Sequence, residues 1–270
     1  MGPVSTERPA WHPLTRAHRL ARWFGYLALV ALFVTCWQAI SANTEWFFIE
    51  DAPYVAADIA ARMVPPRWDY LDELWRPLID TINIATLGTA FAVVLATPIA
   101  FLAARNTTPS TRFVRPLALL IIVSSRSINS LIWGLLLVTI LGPGVLAGII
   151  AITLRSIGFV AKLLYEAIEE IDVEPVEAVT STGATAAQVM TFGIWPQVLP
   201  AFVGTAVFRW DINIRESTVL GLVGAGGIGL QLQASISIVA WQQVSVILLL
   251  ILGTVVFSEW ISMKARHATI

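Results

Sequence analysis

Charge is scarce in this 270-residue chain: 13% of its residues are Asp, Glu, Lys or Arg, while 57% are hydrophobic. An ordinary soluble domain carries about a quarter charged residues, so the composition excludes that class and points to a lipid-embedded protein. Cysteine is nearly absent. Cys36 stands alone, which rules out an intrachain disulfide, and its place in an apolar run reads as a small core or lipid-facing residue. Lysine is reduced to Lys162 and Lys264, neither within G-x-x-x-x-G-K-[ST], so the sequence has no P-loop with which to hydrolyse ATP. The three histidines, His12, His18 and His267, lie in the tails, and no Ser/His/Asp or metal-ligating constellation stands out, which leaves a membrane-embedded enzyme without reacting groups. A net charge of −1 gives no basic footprint for nucleic acid.

What the chain does have is apolar runs of the length needed to cross a hydrocarbon core of about 30 Å. Six are expected: 24–40, 79–104, 116–141, 145–164, 197–220 and 241–261. Trp241 and Trp260 bracket the last, about 28 Å apart along a helix, matching one crossing with an aromatic at each interface. A cleaved signal peptide ending near Ser41-Ala42 is an alternative for the first run, although its apolar stretch is longer than a usual h-region.

Arg8, Arg16, Arg19 and Arg22 in the N-terminal tail (1–23), Arg105, Arg112 and Arg115 after the second run, and Lys264 and Arg266 in the C-terminal tail (263–270) fall on one side if there are six spans. The positive-inside rule makes that side, and both termini, cytoplasmic. The opposite side receives the acidic segment 41–78, read as a connector or as short amphipathic helices on the outer surface. The spans and their loops make one domain over 24–262. Within it, loop 165–195 breaks the rule. It must be cytoplasmic by count, yet it has no Lys or Arg and carries Glu166, Glu169, Glu170, Asp172, Glu174 and Glu177.

The stretch EPVEAVTSTGATAAQVMTFGIWP (174–196) reads as two short helices around a glycine turn. Pro175 suits a first helical position, Glu177 a first turn, Gly183 a C-terminal stop, and Thr185 with Gln188 a capping box. Ala178, Ser181, Thr182, Gly183 and Ala184 leave a low surface that another protein can approach, the alternative being an ordinary solvated hairpin.

The run from Glu177-Ala178-Val179 through Gly183 to Gly193-Ile194-Trp195-Pro196 resembles the cytoplasmic EAA motif of permeases in binding-protein-dependent ABC importers. That resemblance implies that Glu174, Glu177, Ala178, Thr182, Gly183 and Ala184 dock into a separate ATPase subunit, which holds the ATP and Mg. It also implies no cofactor in this chain, a second copy completing the pathway, and an extracytoplasmic substrate-binding protein. The implied fold is all-α, the polytopic bundle of type I importer permeases in a bacterial inner membrane.

Charges within the runs point toward cargo. Arg126, Arg155, Arg209, Asp211, Arg215 and Glu216 would each cost roughly 2.5–3.5 kcal/mol near the centre of a lipid-facing helix, so they face protein or a water-filled cavity. Asp211 and Arg215, four apart, can pair with one another. Arg126, about 15 Å into a straight third span, either lines the pathway or finds a structural partner. The positive excess suits an anion pathway that also takes in Asn129, Arg209, Asp211, Arg215, Glu216 and Ser217.

Segments PPRWDYLDELWRPLIDTINIATLGTAFAVVLATPIAFLAARN and WDINIRESTVLGLVGAGGIGLQL resemble the phosphonate-type permeases of this class, with Asn129 where those have proline. The implied cargo is phosphonate, phosphate or phosphite. Methionine permeases share the VGAGGIG-like segment and remain an alternative, as does a passive anion channel.

Gly224, Gly226 and Gly229 also satisfy G-x-G-x-x-G. A dinucleotide loop needs a preceding strand and an acid about 20 residues on, whereas the next carboxylate here is Glu259. The segment is expected instead to form a gate of close-packed, non-helical backbone around Gly224, Gly226, Gly227 and Gly229.

Overall fold

The computed structural model describes residues 16–269, with side chains through Ala265. Arg8 and His12 of the N-terminal tail, and the side chains of Arg266 and His267, lie outside the described residues. Among the described residues every regular element is helical. The chain divides near Asp58 into a small N-terminal unit and a larger one starting at Ile59.

In the N-terminal unit the first apolar run lies on one continuous helix, α1 (Arg16–Asn43). Arg16, Arg19 and Arg22 are therefore on a helix and not in a loose tail. After a short break, α2 (Trp46–Arg62) carries part of the 41–78 segment, and Trp46 donates from Nε1 to the Ser41 carbonyl at 3.2 Å.

In the larger unit a 3-10 turn at Trp68–Tyr70 leads into α3 (Leu71–Ala103). This helix starts eight residues earlier than the apolar run beginning at Ile79 suggests. At 33 residues it is about 50 Å long, so its polar first turns, with Asp72, Glu73 and Arg76, project beyond a hydrocarbon core of about 30 Å. Then follow α4 (Val114–Ser127), α5 (Ser130–Leu141), α6 (Val145–Glu169), α7 (Val173–Ser181) and α8 (Ala186–Gln188). A π-turn, Val189–Ile194, carries α8 into α9 (Trp195–Gly221), after which come α10 (Ile228–Ser237) and α11 (Trp241–Thr269).

Five helical stretches are long and apolar enough to cross a membrane, and the bent α4–α5 pair makes a sixth if it counts as one span. The third span expected over 116–141 consists of two helices that meet at 86°. Ile128 is extended, and the Asn129 side chain caps α5 by accepting from the Leu131 amide at 3.0 Å. Asn favours that position because its side chain satisfies an orphan amide of the new helix.

The core is built on a stripe of small residues along α3. Ala85, Ala92, Ala96, Ala100 and Ala103 recur every three to seven positions, and α3 packs along α6 through Ala151, Val160 and Ala161. Without water to drive association in lipid, close backbone approach through small side chains supplies the dispersion contacts that hold such helices together. Larger side chains fill the two ends: Ile122, Leu164, Ile168 and Val198 at one, and Leu74, Leu78, Ile228 and Ile247 at the other.

Candidate functional site

The acidic loop is a hairpin clamped to the end of α9. Asp172 caps α7 by accepting from the Glu174 amide at 3.1 Å. The Gln197 amide spans the base: Oε1 accepts from the Asp172 amide at 3.0 Å, and Nε2 donates to the carbonyls of Asp172 at 3.2 Å and Gly193 at 2.8 Å. Pro175 is the third helical residue and Glu177 the fifth, each two positions later than expected, because the cap is Asp172 and not Glu174. Gly183 follows the C-cap Thr182 with φ +79, a left-handed conformation that stops the helix. Thr185 and Gln188 form the expected capping box.

Thr180, Ser181 and Thr182 turn their hydroxyls back onto carbonyls of their own helix, at 2.7–2.8 Å. This leaves a surface of small groups. Ala178, Val179, Thr182, Gly183, Ala184 and Gln188 line a concavity of about 610 Å³. Its far edge is Phe192, 68% exposed, which periodicity does not single out because it sits in the π-turn. Glu174 and Glu177 are exposed on the same hairpin. Part of the loop's acidity has a local explanation: Glu169 pairs with Arg115 at 3.5 Å and accepts from the Arg105 amide at 2.9 Å, which ties the end of α6 to the basic α3–α4 loop.

Halfway along the spanning helices a polar network joins α3, α6 and α9. Arg209, 3% exposed, donates from Nε to Ser156 at 2.9 Å, pairs with Glu216 at 3.2 Å, and lies 5.1 Å from the centre of the Phe159 ring. Asn213 donates to Thr89 at 2.7 Å and to Ser156 at 3.1 Å. Asp211 pairs with Arg215 at 2.6 Å, as the four-residue spacing allows, and its other oxygen accepts from Ser258 of α11 at 2.7 Å. Ser217 is buried and bonded to the Ile214 carbonyl. Arg126 lies exposed in the last turn of α4, beside the bend and not midway along a straight helix. Thr89, Ser156 and Asn213 escape a charge-based reading because only the fold brings uncharged polar residues from three helices together.

The glycine segment is a turn between α9 and α10, preceded by helix and not by strand. Gly224, Gly226 and Gly227 have φ of +92, +83 and +74, a region that side chains resist. The Gly224 carbonyl accepts from the Gly144 amide at 3.0 Å, and the Ile228 amide donates to Thr81 of α3 at 2.8 Å. At Gly229 an added Cβ would collide with the Thr218 carbonyl and sit 2.9 Å from the Gly221 Cα. The turn is thus wedged among α3, the α5–α6 connection and α9, at the end of the bundle away from the hairpin. At Gly226, Leu is expected to lower transport at least tenfold per inserted molecule, because a Cβ there sits 3.1 Å from the Val145 amide nitrogen and adds left-handed strain. Vesicle uptake normalised to membrane content measures this; uptake at the unsubstituted rate removes the turn from the transport path.

Comparisons with known proteins place these features in a wider set. The profile of the family described as "Binding-protein-dependent transport system inner membrane component" matches residues 96–262. The phosphite transport system permease protein PtxC of Stutzerimonas stutzeri is 41% identical over 238 residues, covering 87% of this chain and 85% of that protein. The phosphate-import permease protein PhnE of Mycolicibacterium smegmatis is 37% identical over 237 residues, 88% of this chain and 44% of that protein. Among solved structures, an inward-facing methionine ABC transporter, MetNI, matches with a TM-score of 0.65 at 22% identity, over 75% of this chain and 99% of that one.

Proposed function

The chain belongs to the family of binding-protein-dependent transport system inner membrane components, and from that premise we propose that it imports a phosphorus oxyanion by ATP-driven alternating access. Two copies form the pathway, and a separate ATPase subunit, carrying ATP and Mg, seats on the concavity at Ala178, Gly183 and Phe192 of each. A binding protein delivers the oxyanion to the opposite side, where the glycine turn gates entry. Closure of the ATPases pushes on α7, the clamp through Gln197 passes the displacement to α9, and the helices rock about the central network. Both termini lie in the cytoplasm. There, Lys264, 4.1 Å from the Trp260 ring centre, marks the end of the last span.

The observation that carries the cargo assignment is the 41% identity to a phosphite permease along nearly the full length of both chains. Arg126 and Arg155, which form no ion pair among the described residues, agree with it. A methionine cargo has weaker support: the probable D-methionine permease MetI of Vibrio cholerae is 34% identical over 86 residues, 32% of this chain. A passive channel leaves the hairpin without a task.

The test is ATP hydrolysis by the assembled importer in nanodiscs, with binding protein added. Stimulation several-fold above the basal rate is expected with phosphite, phosphate or methylphosphonate present, and none with methionine. Stimulation by methionine alone overturns the cargo assignment and keeps the importer.

A further inference from the structure

Four arginines, Arg126, Arg155, Arg209 and Arg215, lie within the apolar runs of the sequence, and the structure sorts them into two classes. Arg209 and Arg215 are each neutralised by a carboxylate of their own helix, at 3.2 and 2.6 Å. Arg126 and Arg155 form no ion pair among the described residues. The Arg155 guanidinium instead donates to the Arg126 carbonyl at 2.7 Å, which places the two residues side by side across the α4–α6 contact. Ser125 pins that contact further: its hydroxyl donates to the Leu154 carbonyl and accepts from the Gly158 amide.

Position makes the missing counter-charge matter. Arg155 is the eleventh residue of the 25-residue α6, about 15 Å from its start and about 21 Å from its end, near the middle of a bilayer. Two uncompensated charges at that depth are too costly to face lipid and are tolerated beside a water-filled path or an anion. The Arg155 bond to the end of α4 uses one Nη1 N–H of the guanidinium, leaving further N–H donors free in a fork that matches tetrahedral oxygens.

Resting on the importer reading above, we propose that Arg126 and Arg155 together form a mid-membrane holding site for a doubly charged phosphorus oxyanion. Two positive charges per chain balance the two negative ones of the cargo. Arg209, which charge alone nominates equally, has a structural task.

The test is uptake of radiolabelled phosphite and phosphate by proteoliposomes containing the complete importer, per inserted molecule, with Arg126→Gln, Arg155→Gln and Arg155→Lys. Gln at 155 is polar but shorter and uncharged, whereas Lys keeps both the length and the charge. Each Gln variant is expected to lower the uptake rate about tenfold or more, and Lys at 155 to recover part of the loss. Unchanged uptake in Arg126→Gln overturns the site, as does equal loss in both Arg155 variants. If Arg155→Gln does not assemble, Arg126→Gln decides alone, since the Arg126 guanidinium makes no hydrogen bond among the described residues whose loss could unfold the chain. Absence of oxyanion uptake by the unsubstituted importer is a different outcome: it removes the importer reading for this cargo, and the site with it.

Discussion

Gly183→Trp is expected to abolish ATP-driven uptake, a fall of at least about a hundredfold, while the chain still inserts in the membrane. The reason is position, not packing. No atom lies within 4 Å of where a Cβ would stand, so the side chain meets open space within this protein. That space is the concavity formed with Ala178, Val179 and Phe192, and an indole there fills the proposed seat of the ATPase. A hundredfold loss corresponds to about 2.7 kcal/mol, within the range for disrupting the centre of an interface. Gly183→Ala separates the alternatives: it carries the strain of φ +79 without the bulk, and a milder loss is expected. Copurification of the ATPase with each variant measures docking directly. If the Trp variant retains both the ATPase and normal uptake, the hairpin is not the coupling surface.

Glu216→Gln carries the largest expected cost in stability. Arg209 is almost wholly buried, and Glu216 is its only carboxylate partner among the described residues. Removing the acid leaves a desolvated cation with a neutral amide, and breaking a buried pair from one side costs about 3–5 kcal/mol. The apparent melting temperature in detergent should fall clearly below that of the unsubstituted chain. The paired replacement Arg209→Met with Glu216→Leu removes both charges and should recover most of the loss, since a buried pair is often worth no more than apolar side chains of similar volume. A Glu216→Gln protein as stable as the original shows that Arg209 is hydrated in the assembled importer and returns it to the pathway candidates.

Long-period features were legible in the sequence: the apolar runs, the capped hairpin with its glycine stop, and the Asp211–Arg215 pair, all set by spacing along one helix. Most missed features depend on neighbours distant in sequence, and one, the bend, on a single local cap. The bend after Ser127 looked like the middle of a span because the run is apolar on both sides, and a single Asn cap outweighs that continuity. Arg209 and Arg126 looked alike as intramembrane cations, and only packing against Ser156 and Glu216 separates them. Thr81, which holds the first amide of α10, lies 147 residues from its partner and carries no pattern of its own. Positive φ at Gly226 and Gly227 gives the glycine segment its shape, whereas the G-x-G-x-x-G spacing is incidental to it.

The central claim is that this chain couples ATP hydrolysis elsewhere to oxyanion movement through itself. Proteoliposomes holding the permease and ATPase, with binding protein outside and ATP sealed inside, measure it directly through uptake of labelled phosphite. Uptake that requires both ATP and binding protein is the expected result. Uptake that proceeds equally without ATP contradicts the account and describes a channel.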